Sequence, residues 1–85
     1  MKPRYAIKSK RGKYLYSGIT KCLFINDLFI AKEFPTKAAA EKYAKKMNDK
    51  YYEWANSTGR KDQHFPVYVI AIKMIEVDID DDDRQ

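Results

Sequence analysis

The sequence predicts an α+β protein, a two-layer sandwich in which one long helix packs on one face of a three- to four-stranded, mainly antiparallel sheet. Residues 36–57 repeat apolar side chains at helical spacing. Short strand-like runs precede this segment, and the apolar run 67–77 follows it. Strands that are not separated by helices pair antiparallel, which gives this class of fold. We expect a single domain over residues 1–77.

The helix has start and stop signals as well as an apolar side. Pro35 favours extended backbone before it, Thr36 is a suitable N-cap, and Gly59 is a natural stop. Its 22 residues make a rod of roughly 30 Å at 1.5 Å per residue. At roughly 100° per residue, one arc of about 120° holds Ala40, Tyr43, Ala44, Met47, Tyr51, Trp54 and Ala55.

A hairpin is predicted before the helix. Residues 4–9 and 13–17 alternate apolar and polar side chains, and Gly12 between them can adopt the positive φ of a turn. A third strand is expected over residues 21–25. For residues 26–34 two interpretations remain: a further strand near 29–34, or a bend or short helical turn over 26–32 that leads to a short extension at Glu33 and Phe34.

The last strand, over residues 67–77, is apolar on both faces, although the single long helix covers only one face of a sheet. We expect the helix to pack on Tyr68, Ile70, Ile72 and Met74. The opposite face is then a candidate homodimer surface, formed by Val67, Val69, Ala71, Ile75 and Val77. There are three alternatives for this opposite face. Residues 21–32 could fold over it, sheet twist and long side chains could shield part of it from solvent, or a partner protein could cover it.

Charge divides the chain into a basic body and an acidic end. The net charge is +5, yet residues 1–77 carry 16 Lys and Arg against seven Asp and Glu, whereas residues 78–85 carry five Asp and one Arg. A basic body favours polyanions, although surface lysines also simply keep a domain soluble. We expect residues 78–85 to form a disordered tail. The lone Cys22 and the absence of a signal peptide or apolar span predict a cytoplasmic protein that does not bind membranes.

No catalytic or cofactor motif is recognisable. His64 is the only histidine and lies in a polar loop, and Cys22 lies in an apolar run typical of a buried residue. The three glycines match no phosphate-binding loop or dinucleotide fingerprint. We therefore predict a protein that is not an enzyme, with no metal and no cofactor.

One hypothesis for function is a nucleic-acid-binding module. Phosphate contacts combined with aromatic stacking are how proteins hold single strands. The first hairpin interleaves basic and aromatic residues in this way, through Lys8, Lys10, Arg11, Lys13, Tyr14 and Tyr16. The glycine, aromatic and basic pattern of RNA-recognition sheets is absent.

Four segments carry a resemblance. They are residues 5–8 (YAIK), 12–15 (GKYL), 31–34 (AKEF) and 36–43 (TKAAAEKY). With the closing apolar strand, this order resembles small uncharacterised proteins of bacteriophages and related mobile elements. The resemblance covers most of residues 4–77 and includes neither the 59–64 loop nor the aspartates. It implies an accessory protein of a bacterial host cell, of the anti-CRISPR or other anti-defence type.

The leading hypothesis from this resemblance is a non-enzymatic factor that binds and inhibits or modulates a host nucleic-acid-processing or defence enzyme. The contact residues would come from the helix surface, the loop after the helix and the acidic tail. They are Tyr52, Lys45, Arg60, Lys61, His64, Asp80, Asp81, Asp82 and Asp83.

Overall fold

A computed structural model describes residues 3–17 and 22–72. Its elements are strand β1 (Arg4–Lys8), strand β2 (Tyr14–Ser17), strand β3 (Leu23–Ile25), a short 3-10 helix (Leu28–Ile30), helix α1 (Lys37–Thr58) and strand β4 (Tyr68–Ile72). This part of the chain forms a four-stranded sheet in the order β3-β2-β1-β4, and all neighbouring strands are antiparallel. The predicted α+β two-layer architecture is confirmed.

Helix α1 begins and ends where its local signals predict. The Thr36 side-chain oxygen accepts a hydrogen bond from the amide of Ala39 at 3.1 Å. Gly59 adopts a left-handed conformation with φ of 70°, and its amide donates to the carbonyl of Ala55 at 2.8 Å. Both ends are therefore determined by single residues next to the helix.

The first hairpin is also confirmed. Gly12 has φ of 83°, which a residue with a side chain adopts only under strain. Its amide donates to the carbonyl of Ser9 at 2.9 Å, and this hydrogen bond closes the turn between β1 and β2.

Two interpretations were open for residues 26–34, and the one with a short helical turn is correct. The carboxylate of Asp27 accepts a hydrogen bond from the Phe29 amide at 2.9 Å and caps the 3-10 helix Leu28–Ile30. A strand near 29–34 is wrong, because extended pairing is limited to one bridge between Phe34 and Tyr5. The third strand is present, as Leu23–Ile25.

The core shows which face of β4 the helix covers. Ile7 lies directly opposite Val69 across β1 and β4. Val67 is only 4% exposed, and it packs in one cluster with Ala44 and Met47 of the helix. The buried members of this cluster are Ile7, Leu15, Phe34, Ala40, Ala44, Met47, Phe65 and Val67.

The predicted face assignment of the last strand is therefore wrong. Val67 and Val69 belong to the helix side and are not part of an open dimer face, whereas Tyr68, expected beneath the helix, is 46% exposed. Ala71 lies two residues beyond Val69 on the same side and is exposed. Residues 73–77, with the remaining members of both predicted faces, lie outside the described residues. A homodimer stays a prediction.

Among residues 22–30, the larger side chains do not cover the sheet face that carries Tyr68. Cys22 and Phe24 pack against the core cluster on the helix side. Phe29 and Ile30 are instead exposed to solvent. Within the part of the chain that the structure describes, no helix is long and apolar enough to cross a membrane.

Asn48 explains why β4 turns its odd-numbered residues toward the helix. Its side-chain amide donates to the carbonyl of Val67 at 3.0 Å and accepts from the amide of Val67 at 2.8 Å. The side chain thus pairs with the backbone just before β4 as a neighbouring strand would. These two hydrogen bonds fix the rotation of the strand as it enters the sheet.

We expect Asn48→Ala to destabilise the protein by about 2 kcal/mol, because both backbone groups of Val67 lose partners in a half-buried site. Thermal unfolding should show a decrease in Tm of about 8–16 °C, at 4–8 °C per kcal/mol for a domain of this size. Asn56→Ala is the matched control, since Asn56 is exposed on the same helix. Equal melting temperatures for the two variants would contradict the role of Asn48.

Candidate functional site

Two loops meet at the end of the sheet where the first hairpin turns. One is the hairpin loop, residues 9–13, and the other follows the helix, residues 59–65. The amide of Lys10 donates to the carbonyl of His64 at 2.9 Å. The Arg11 guanidinium donates to the side-chain oxygen of Gln63, which is 52 residues away in the chain. These contacts place basic residues from distant segments side by side.

Ser9 and His64 hold the two loops together. The fully buried Ser9 hydroxyl accepts from the amides of Arg11 and Lys13 at 3.2 and 3.1 Å, and it lies 3.0 Å from Nδ1 of His64. Because two amides already donate to this oxygen, its own proton is available to Nδ1 of His64. The ring of His64 also stacks on Phe24, with centroids 4.6 Å apart. The histidine is thus a structural link between the loops.

The loop after the helix is anchored on the helix by aromatic contacts. Tyr51 and Phe65 are stacked almost parallel, with centroids 4.7 Å and planes 6° apart. The amide of Asp62 donates to the Tyr51 hydroxyl at 3.2 Å, and the Asp62 carboxylate accepts from the His64 amide at 2.9 Å. The loop therefore has a defined conformation beside the hairpin.

A groove, which we call the basic groove, lies where these loops meet. It encloses about 440 Å³. Three cationic side chains line it against one carboxylate, and the stacked rings of Tyr51 and Phe65 form part of its wall. A concave surface with excess positive charge concentrates anions. The lining residues are Lys10, Arg11, Tyr51, Lys61, Asp62, Gln63 and Phe65.

The sheet face opposite the helix carries a separate row of one basic and two aromatic residues. Lys8 on β1 lies directly opposite Tyr14 on β2 and Tyr68 on β4, so the three side chains point to the same side of the sheet. The ammonium of Lys8 lies 5.6 Å from the ring centre of Tyr14. This Tyr14–Lys8–Tyr68 row runs across three strands. It lies next to the hairpin loop, because Lys8 is the last residue of β1.

A second cavity of about 310 Å³, the aromatic pocket, lies on the helix side of the loop. It shares Tyr51, Asp62 and Phe65 with the basic groove. Its remaining lining residues are Cys22, Met47, Lys50 and Trp54. Burial raises the pKa of the Cys22 thiol, and the nearby Asp62 carboxylate raises this pKa further. The thiol is therefore neutral at physiological pH and contributes an uncharged wall.

The predicted nucleic-acid residues are distributed over two adjoining surfaces. Lys8 and Tyr14 belong to the sheet row, Lys10 and Arg11 line the basic groove, and Tyr16 is exposed two residues beyond Tyr14 on β2. Lys13 lies at the end of the hairpin loop, where its amide contacts Ser9.

The predicted partner-binding residues do not form one surface. Lys61 lines the basic groove and Arg60 is exposed beside it, while His64 turns inward onto Phe24. Lys45 forms an exposed ion pair with Asp49 at 2.8 Å along the helix. The exposed Tyr52 has its ring centre 5.4 Å from that of Tyr51. Residues 80–83 lie outside the described residues.

Sequence reasoning missed several residues that shape the site. Ser9 was predicted only as the end of the first strand and Gln63 only as part of a polar loop, yet Ser9 is the buried link and Gln63 orients Arg11. Tyr51 was assigned to the core, but it is half-buried and lines both cavities. No local pattern marks these roles, since each depends on contact between loops that are distant in sequence.

No protein-family model, curated protein or solved structure matches this chain. Over residues 3–17 and 22–72, no group of three His, Cys, Asp or Glu side chains is arranged to hold a metal ion. The resemblance to bacteriophage proteins therefore stays a prediction.

Proposed function

We propose that this protein binds single-stranded nucleic acid at the hairpin end of its sheet. The observation that supports the proposal best is the basic groove. Lys10, Arg11 and Lys61 converge there from two loops beside the stacked rings of Tyr51 and Phe65. Cationic side chains for phosphates beside aromatic rings for bases are the two components of single-strand binding.

Arg11 is suited to phosphate binding because part of its guanidinium is already held. The hydrogen bond to Gln63 orients the side chain before any ligand arrives. The remaining N–H groups of the planar guanidinium can then donate to phosphate oxygens in a fixed geometry. Less side-chain entropy is lost on binding than for a freely rotating lysine.

The arrangement favours a single strand over a duplex. The Tyr14–Lys8–Tyr68 row offers tyrosine rings to bases, and bases are accessible for stacking only when they are unpaired. The long helix is poorly suited to a major groove, because Lys45 pairs with Asp49 on its exposed side. Loops and a sheet face are therefore the surfaces that would meet the strand.

Fluorescence anisotropy with labelled oligonucleotides tests this function. We expect binding of single strands at 50 mM salt, with log K falling against log salt at a slope of about −2 for three phosphate contacts. A duplex of the same length should bind more weakly. The proposal is contradicted by the absence of binding at this salt concentration, or by equal affinity for the duplex.

A second candidate function is protein binding, as in the inhibitory factor that the resemblance implies. The observation in its favour is a run of exposed apolar side chains from β3 to the 3-10 helix. Leu23, Phe29 and Ile30 are 51%, 88% and 57% exposed. Exposed apolar residues close together in one segment are typical of surfaces that contact other proteins. The proposed partner is a nucleic-acid-processing or defence enzyme of a bacterial host, met in its cytoplasm.

Capture from nuclease-treated bacterial lysate tests this second function. A specific nucleic-acid enzyme retained by the wild-type chain should be lost with the double variant Phe29→Ser and Ile30→Ser. Tyr68→Ser is the control, since Tyr68 is exposed on β4, at the opposite edge of the sheet from β3. Retention of the same enzyme by the double variant would contradict a role for the apolar segment.

A further inference from the structure

The aromatic pocket and the basic groove are two sides of one wall. Tyr51, Phe65 and Asp62 line both, and the remaining surfaces differ in chemistry. The groove adds three cations, Lys10, Arg11 and Lys61. The pocket adds one cation, Lys50, and uncharged surfaces from Met47, Trp54 and Cys22. A ligand that spans both sites must therefore join an anionic part to a flat, apolar part.

Asp62 supplies the carboxylate of the pocket, which Lys50 also lines. Its amide is held by the Tyr51 hydroxyl, and its carboxylate accepts from the His64 amide at 2.9 Å. The carboxylate is thus fixed at the boundary of the two cavities. A carboxylate accepts hydrogen bonds and does not donate them, so it favours a ligand with an amino group and repels one with a carbonyl at the same position.

We propose that the aromatic pocket receives one unstacked base of the strand whose phosphates lie in the basic groove, and that it prefers cytosine to uracil. This inference rests on the proposed function. The exocyclic amino group of cytosine donates to carboxylates, whereas uracil has a carbonyl oxygen in that position. The exposed ring of Trp54 provides a surface for base stacking. Lys50 can donate to the O2 carbonyl that both bases carry, so it does not distinguish them.

Two homopolymers of about ten nucleotides, oligo-dC and oligo-dU, provide the test, since a stretch of this length covers a small binding surface. Their bases have the same ring size and differ in the group on C4 and at N3, which carries a proton only in uracil. We expect the wild-type protein to bind oligo-dC about tenfold more tightly, as one good base contact provides.

Asp62→Asn is the informative variant, because an asparagine oxygen can still accept from the His64 amide and keep the loop in place. The asparagine side chain can accept a hydrogen bond from cytosine or donate one to uracil. The affinities for oligo-dC and oligo-dU should therefore differ by no more than about twofold. The ratio of the two affinities is the readout, since removing the negative charge strengthens the binding of both oligomers. An unchanged preference in Asp62→Asn overturns the assignment to Asp62.

Trp54→Ala should weaken both oligomers about tenfold through the loss of stacking. Tyr52→Ala is its control, as an exposed aromatic residue on the same helix that does not line the pocket. Equal effects of the two variants overturn the role of the pocket. If the wild-type chain binds both oligomers equally with the expected salt dependence, the base preference is wrong and the proposed function stands. If it binds neither, the proposed function itself fails.

Discussion

Replacing Lys10, Arg11 and Lys61 together by glutamine is expected to weaken single-strand binding by about 1,000-fold or more at 50 mM salt. The three side chains line one groove, and each should lose one charged contact to a phosphate. A hydrogen bond to a charged group contributes about 1.5–3 kcal/mol, and 1.4 kcal/mol is a factor of ten. The slope of log K against log salt should also become less negative, by about 2. Anisotropy titrations at several salt concentrations measure both quantities.

A matched variant separates the groove from the charge of the whole protein. Lys37, Lys42 and Lys46 are exposed on helix α1 and line neither cavity, so their replacement by glutamine makes the same change in net charge. We expect this control to lose only about threefold in affinity, through the weaker long-range field. Equal losses in the two triple variants would mean diffuse attraction and no defined site.

Val67→Asp is expected to have the largest effect on folding. Val67 is 4% exposed in the core beneath the helix, and a carboxylate there has no cationic partner among its core neighbours. Burial of an unpaired charge costs several kcal/mol, against a total stability of about 5–15 kcal/mol for a small domain. Tyr68→Asp, one residue later on the open face, should cost only about 1 kcal/mol. Urea unfolding followed by circular dichroism measures the difference.

If Val67→Asp does not fold at all, the alanine pair makes the same comparison. Val67→Ala should cost about 1–2 kcal/mol through lost burial, and Tyr68→Ala should cost less. A larger cost at Tyr68 in either pair would contradict the assignment of the odd-numbered residues to the helix side.

Elements with local signals were predictable from sequence. The helix begins at a capping threonine and ends before a glycine in the left-handed conformation, so Thr36 and Gly59 alone define it. The hairpin likewise depends on Gly12 between two alternating runs. In each case, the information lies within a few residues of the feature that it determines.

The face of β4 was not predictable, because both of its faces are apolar and alternation alone does not distinguish them. The distinction comes from Asn48, a helix residue that sequence analysis assigned to the polar side, and from its two hydrogen bonds to Val67. The 3-10 helix after β3 was one of two open interpretations for a similar reason. The capping contact of Asp27 to Phe29 decides between them, and short apolar runs do not show it.

The candidate site was predictable only in halves. Basic residues of the hairpin and of the loop after the helix were both identified, but as parts of two different hypotheses. Their convergence depends on the hydrogen bonds from Lys10 to His64 and from Arg11 to Gln63, which join segments more than 50 residues apart. Contacts at this separation leave no periodic pattern in a single sequence.

The most direct test of the nucleic-acid site is the titration of ¹⁵N-labelled protein with a single-stranded oligonucleotide, followed by amide chemical shifts. Binding at the proposed site predicts the largest changes at residues 9–13 and 60–65, with the indole N–H of Trp54 shifting as the aromatic pocket fills. Changes confined to residues 23–30, or to the first turns of helix α1, would contradict it.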